Sequence, residues 1–181
     1  MNDIKEILSK YNKIAMVGVS NDTTKASTIV MKYMQKYGFK VYPVNPKAEG
    51  QKILGEDVCG KITDIKDKVD IVNVFRPSKE ALDIAKDAVD IKAKVLWLQL
   101  GIKNEQAKKL VIKNKIEYIE DRCTKMEYQK HFLKIRQAFP VLQDYNQLFL
   151  ENDKKNSNNI KCSFHFFYFY NNSKGRITKT Q

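Results

Sequence analysis

Lys13-Ile-Ala-Met-Val-Gly-Val-Ser-Asn-Asp-Thr-Thr-Lys-Ala-Ser27, read with Lys40-Val-Tyr-Pro-Val-Asn-Pro-Lys47, decides the fold. Ile14–Val19 is a short apolar run rich in β-branched residues, and it ends in Gly18-Val-Ser20 and a polar loop. From about Ser27, Ile29, Val30, Tyr33, Met34 and Tyr37 recur at helical spacing. Gly38 stops that helix and Lys40–Val44 is a second strand. Strand, glycine turn, helix, strand is a βαβ unit, whose first turn is where such folds receive phosphates.

The same alternation continues. Met1–Lys10 carries Ile4, Ile7 and Leu8 at helical spacing, with Asp3 near its start. Val58-Cys59 reads as an edge strand among Gly50, Gly55 and Gly60, and Ile62–Ile65 as one helical turn. Val69–Phe75 is a buried strand, followed by Arg76-Pro-Ser78 and a helix over Lys79–Val89. Pro77 suits a helix start, where its missing N–H costs nothing. Lys94–Gln99 is the next strand, with Trp97 in the core and the Gln99 amide expected to face the crevice. A helix over Lys103–Asn114, a strand at Ile116–Ile119 and a terminal helix over Lys125–Phe139 complete the pattern. The expected fold is an α/β, Rossmann-like three-layer domain over residues 1–139. Its sheet is mainly parallel, with five or six strands in the order 3-2-1-4-5-6.

After Pro140 the character changes. Asn152–Asn159 is rich in Asn, Lys and Ser and reads as a linker, and Phe164–Tyr170 is an aromatic cluster. Residues 140–181 are thus expected to form a basic, Asn/Lys/aromatic-rich tail of a composition that permits disorder. The formal net charge is +12, and residues 131–181 contribute 8 Lys/Arg against 3 Asp/Glu. Lysines elsewhere are scattered as on a solvated surface, and no nucleic-acid recognition motif is visible. No apolar stretch approaches the ~20 residues that span a bilayer. Three cysteines without a CxxC spacing, and only two histidines, argue against a zinc site and for a reducing, cytoplasmic compartment.

The first turn departs from the dinucleotide fingerprint, because only Gly18 stands where G-x-G-x-x-G has three glycines. The loop instead carries Ser20, Asn21, Thr23, Thr24, Lys25 and Ser27. Backbone amides, hydroxyls and one lysine can cup a phosphate; equally, Ser27 can serve only as a helix cap. At the end of the second strand an NAD site would place an acid, to hold the ribose hydroxyls. Here stand Asn45, Pro46 and Lys47. A lysine attracts a ribose phosphate, so the ligand implied is a nucleotide phosphorylated on its ribose: NADP and coenzyme A both qualify. Arg76 stands at the strand end that faces the crevice, or pairs with a surface acid.

Gly18-Val-Ser20, Lys25-Ala-Ser27, Val44-Asn-Pro46, Ile53-Leu-Gly55, Val69-Asp-Ile-Val72, Val74-Phe-Arg76, Trp97-Leu-Gln-Leu-Gly101 and Asp121-Arg-Cys123 occur in this order. Together they resemble the small bacterial-type CoA-binding proteins, whose domain is similar to the CoA-binding domain of the succinyl-CoA synthetase alpha subunit. The resemblance covers about residues 5–132. It implies that Gly18, Val19, Ser20, Lys25 and Ser27 meet the diphosphate, and that Asn45, Pro46 and Lys47 sit by the adenosine and its ribose phosphate. It further implies that Phe75, Arg76 and Ser78 flank the nucleotide and that Gln99 and Gly101 line the pantetheine end. The synthetase's catalytic histidine lies in another domain and has no match here.

Three function classes follow: a non-catalytic module for CoA or an acyl-CoA, an NADP-dependent oxidoreductase, and a basic nucleic-acid-binding protein. The first fits best, since the second lacks a substrate domain and the third lacks a motif. A homodimer or a partner enzyme is compatible with it. No catalytic or metal-ligating constellation is found. Cys123 reads as a buried thiol or as one near the ligand, able to form a mixed disulfide.

Overall fold

A computed structural model describes residues 3–133. The elements are α1 (Ile4–Lys10), β1 (Lys13–Val17), α2 (Ala26–Lys36), β2 (Lys40–Val44), β3 (Lys52–Ile53), β4 (Glu56–Asp57), β5 (Ile71–Val74), α3 (Ala81–Asp90), β6 (Val95–Leu98), α4 (Glu105–Lys113), β7 (Glu117–Ile119) and α5 (Thr124–Phe132). Short 3-10 turns occupy Pro46–Ala48, Ile62–Asp64 and Ser78–Glu80. The terminal helix was expected to run to Phe139; its last part, and the whole of the expected tail, lie outside the described residues.

Five strands form one parallel sheet in the order β2-β1-β5-β6-β7. A parallel sheet must be covered on both faces, and period-two alternation divides its side chains accordingly. Ala15, Val17, Val72, Val74, Leu96 and Leu98 pack with Ala81, Ala85 and Ala88 of α3 and Ala107 and Val111 of α4. Ile14, Met16, Ile71, Val95 and Trp97 pack with Ile7 and Leu8 of α1, Met31 and Met34 of α2, and Tyr128 of α5. These are the three layers expected. Trp97 is fully buried, and its Nε1 donates to the Arg122 carbonyl at 2.7 Å.

The expected third strand of the order 3-2-1-4-5-6 is reduced to a single parallel bridge between Val44 and Cys59. Cys59 N donates to the Pro43 carbonyl, and Asn45 N to the Cys59 carbonyl, both at 3.0 Å. Gly60 and the 3-10 turn at Ile62 then carry the chain away from the sheet. The small β3–β4 hairpin was not expected. Leu54 and Gly55 at its turn have φ of 48° and 86°, the two left-handed residues that a tight hairpin turn requires. Leucine rarely takes the first of those places, so the sequence carries no turn signal there.

One polar cluster lies inside this apolar frame. Asn73, Gln99 and Thr124 are all buried. Gln99 Nε2 donates to Asn73 Oδ1 at 2.6 Å and to Thr124 Oγ1 at 3.0 Å, and Asn73 Nδ2 donates to Thr124 Oγ1 at 3.2 Å. The cluster ties β5 and the end of β6 to the start of α5. Gln99 Nε2 is thereby engaged in the buried cluster. Removing the hydroxyl takes from Asn73 Nδ2 its acceptor and from Gln99 Nε2 one of its two. Thr124→Val should lower the unfolding free energy by about 1–3 kcal/mol, and Thr124→Ser by less. Chemical denaturation of the full chain measures both, and an unchanged midpoint for the valine variant would contradict the account.

Candidate functional site

Chain direction in the sheet reverses its order between β1 and β5. In open α/β sheets the ligand crevice opens outside the carboxyl ends of the strands at that point. Two turns meet there, Gly18 after β1 and Phe75-Arg76 after β5. Gly18 has φ +89°, and a Cβ on it would stand 2.7 Å from Arg76 Cδ and 3.3 Å from the Phe75 carbonyl carbon. The left-handed backbone favours glycine here, and the Phe75 backbone at 3.3 Å leaves a Cβ little room, with the Arg76 side chain having to shift to admit one. Gly18 N donates to the Val44 carbonyl at 2.8 Å, which holds the turn against the end of β2.

Two hollows adjoin Gly18. The first, about 280 Å³, is lined by Gly18, Ser20, Lys25, Ala26, Ser27 and Phe75. It opens at the N-terminus of α2, whose cap residue is Lys25 and which has neither a side-chain cap bond nor an acid in its first turn. Ser27 was considered as the cap; it lies instead inside the helix, buried, where its Oγ accepts from Ser20 N at 3.2 Å. Thr28 N and Ile29 N both bond to the Lys25 carbonyl. The amides of Ala26 and Ser27 thus have no helical partner and point out of the first turn. The loop before them is held by its own side chains: Asp22 accepts from Thr24 N at 2.8 Å and Thr24 Oγ1 at 2.6 Å. Those bonds hold the Asp22 carboxyl below the ordinary carboxylate range and engage the one acid of the loop internally. A positive helix end beside a lysine is electrostatically suited to an anion.

The second hollow, about 230 Å³, includes Gly18, Asn45, Pro46, Lys47, Lys61 and Arg76 in its lining. Asn45 is fixed from two sides: its Nδ2 donates to the Val19 carbonyl at 2.8 Å and its Oδ1 accepts from Lys47 N at 3.0 Å. Arg76 Nε and Nη2 donate to the two oxygens of Glu80 at 2.7 and 3.1 Å. That fork holds the Glu80 carboxyl below its usual range, with Lys79 and Lys47 adding to the effect. Ile62 and Ile84 supply apolar walls, and Asp87 closes the far end.

Of the residues expected at the site, the structure brings together Gly18, Ser20, Lys25, Ser27 and Phe75 around the first hollow, and Gly18, Asn45, Pro46, Lys47 and Arg76 around the second. Val19 is fully buried, so its side chain belongs to the core. Ser78 lines neither hollow; its Oγ accepts from Lys103 N and its carbonyl from Asn104 Nδ2. Gln99 belongs to the buried cluster, and Gly101, with φ +76°, donates its N–H to Asp121 Oδ1 at 2.8 Å. Half-buried Cys123 also lines neither hollow and packs beside the α2–α5 core. A larger hollow, about 480 Å³, lies along β7, walled by Ile112, Lys115 and Tyr118. Neither the Gly18 turn nor the start of α2 contributes to its lining.

A family model described as a CoA binding domain matches residues 12–129. The chain belongs to the CoA-binding domain family. It is 35% identical over 126 residues to the YneT protein of Bacillus subtilis, covering 70% of this chain and 92% of that protein. Among solved structures it is similar to a hypothetical protein of Pyrococcus horikoshii, with a TM-score of 0.68 and 37% identity over 71% of this chain and 89% of that one. It is also similar to part of a dinucleotide-forming acetyl-coenzyme A synthetase from Ca. Korarchaeum cryptofilum, with a TM-score of 0.53 and 26% identity. That match covers 62% of this chain and 26% of the synthetase.

Lys61, Ile62, Glu80, Ile84 and Asp87 complete this CoA-binding domain's second hollow and were not foreseen from the sequence. Ile84 is visible in the sequence only as an apolar position of the helix over Lys79–Val89. Asp87 departs from a solvated residue. It is half-buried and, among the described residues, its carboxyl has no hydrogen bond or ion pair. Burial first, and then the charges of Asp90 and Asp83, push its carboxyl above the ordinary range. It also stands in the second half of α3, whose last turn holds no base, where the helix dipole disfavours an anion. A carboxyl with a raised folded-state pKa costs stability as pH rises through that pKa, and the cost is absent below the unfolded value. Asp87→Asn should therefore raise the melting temperature at neutral pH and leave it unchanged below the ordinary value of 3.8. Thermal unfolding across pH checks this, and a lower melting temperature at pH 7 would contradict it.

Proposed function

We propose that the chain binds coenzyme A or an acyl-CoA in the two hollows at Gly18 and has no catalytic residues of its own. The observation that carries the reading is the side-chain-uncapped N-terminus of α2, which opens beside Lys25 next to a hollow rimmed by Lys47, Lys61 and Arg76. The diphosphate lies on the amides of Ala26 and Ser27, with the Lys25 ammonium beside it. The adenosine enters the second hollow between Ile62 and Ile84, and its ribose phosphate meets Lys47. An oxygen-rich anion at the end of β2 would be repelled by the acid of an NAD site and is attracted by a lysine. The pantetheine arm leaves by way of the Phe75 turn. The Korarchaeum relative is a synthetase of acetyl-coenzyme A by its name, which agrees with a CoA ligand for this domain.

The binding unit is residues 1–139, and 140–181 is an appendage to it. Among the described residues no group of His, Cys, Asp or Glu could hold a metal ion, and no helix is long and apolar enough to cross a membrane. With its three thiols the chain suits a cytoplasmic setting, with CoA or acyl-CoA as its ligand and no nucleic acid.

NADP shares the ribose phosphate, so the deciding experiment compares four ligands. In calorimetric titration CoA should bind more tightly than dephospho-CoA, by about 1–3 kcal/mol for one charge-assisted contact; NADP should bind less tightly than CoA, and NAD poorly. Lys47→Glu should shrink the gap between CoA and dephospho-CoA. Equal affinity for those two ligands would remove Lys47 from the site, and tighter binding of NADP than of CoA would favour the oxidoreductase reading.

A further inference from the structure

The second hollow has an order along its length. Glu80, Ile84 and Asp87 are four and three residues apart, so one face of α3 and the turn before it runs along the wall. At the mouth, Glu80 is occupied by Arg76. In the middle, Ile84 and Ile62 form apolar walls. Asp87, about two turns along the helix from Glu80, shares this lining with Lys61, whose charge acts on the carboxyl, and neither forms an ion pair among the described residues. A flat aromatic base between two isoleucines would have its ribose toward Lys47 and Arg76 and its far edge toward Asp87.

We propose that Asp87 reads the base of the bound nucleotide, accepting a hydrogen bond from an exocyclic amino group such as the 6-amino group of adenine. The inference rests on the reading of this hollow as a nucleoside site and deepens it, by naming what selects the base. A carboxylate is an acceptor only, and discriminates for a base that offers a donor and against one that offers a carbonyl at the same position. The energetics of the free protein support it. Asp87 is half-buried with no hydrogen-bond partner for its carboxyl, is flanked by Asp83 and Asp90 with Lys61 and Lys86 offsetting part of their effect, and sits where the helix dipole opposes it. Each of those costs is relieved when a donor arrives. Local rules of stability are commonly broken where a ligand restores the balance.

The test uses the full chain and two ligands, CoA and its desamino analogue with purine in place of adenine, which lacks the donor and adds no acceptor. Wild-type protein should prefer CoA by about tenfold, the value of one hydrogen bond to a charged group. Asp87→Leu, a good helix former in an apolar hollow, should lose that preference to within twofold, with weaker binding of CoA and unchanged binding of the analogue. Asp87→Asn, which retains one acceptor oxygen, should keep part of it. Melting temperatures of both variants at or above that of the wild type would establish that they are folded; should the leucine variant fail to fold, Asp87→Ala takes its place. A wild-type protein that binds both ligands equally, or a leucine variant that keeps the wild-type preference, would overturn the role of Asp87. Failure of the wild type to bind CoA at all would instead overturn the reading of the site.

Discussion

Everything at the candidate site depends on the contact between two turns. Gly18 and Arg76 approach until no side chain fits between them, because β1 and β5 are neighbours in the sheet and both end at the same level. The parallel pairing of Val17 with Val74 sets that level. From it follow the direction of α2, which leaves the Gly18 turn with its amide end exposed, and the seat of Arg76, which roofs the gap. The two hollows are the spaces left on either side of this contact. A binding site that is a by-product of register needs no flexible loop to assemble it.

Electrostatically, the site is unbalanced in a patterned way. The loop acid Asp22 and the mouth acid Glu80 are both satisfied by near neighbours, Thr24 and Arg76. Lys25, Lys47 and Lys61 remain without ion pairs among the described residues, as does Asp87. In the proposed mode of binding, the positive groups stand by the two phosphate positions and the one carboxylate by the edge of the base. The scattered positive charge of the whole chain is a poor guide to this, since most surface lysines have no such setting.

The layers and strand order were legible in the sequence because buried parallel strands are continuous apolar runs, and Val69–Phe75 and Lys94–Gln99 are unmistakable as such. The half of the site built on the first βα turn and the end of β2 was legible for a related reason: Gly18 and Lys47 depart from a known pattern at positions fixed by the βαβ unit. What was not legible depended on side-chain direction. Gln99 ends a buried strand, but period-two alternation places it on the face of Asn73 and Trp97, toward α5, and the hydroxyl of Thr124 could not be anticipated 25 residues away. Glu80 ends the turn before α3 and Asp87 lies within α3, a segment legible in the sequence only by its helical spacing. The β3–β4 hairpin turns on Leu54 in a left-handed conformation, which no composition rule foretells.

The most direct test of the central claim, that the ligand sits at the contact between the β1 and β5 turns, is a titration of the isotope-labelled chain with CoA followed by amide chemical shifts. The account predicts that the amides of Gly18, Ala26, Ser27 and Lys47 move first and furthest, along one saturation curve. Shifts confined to the larger hollow beside β7, at Ile112, Lys115 and Tyr118, with the Gly18 turn unmoved, would contradict it.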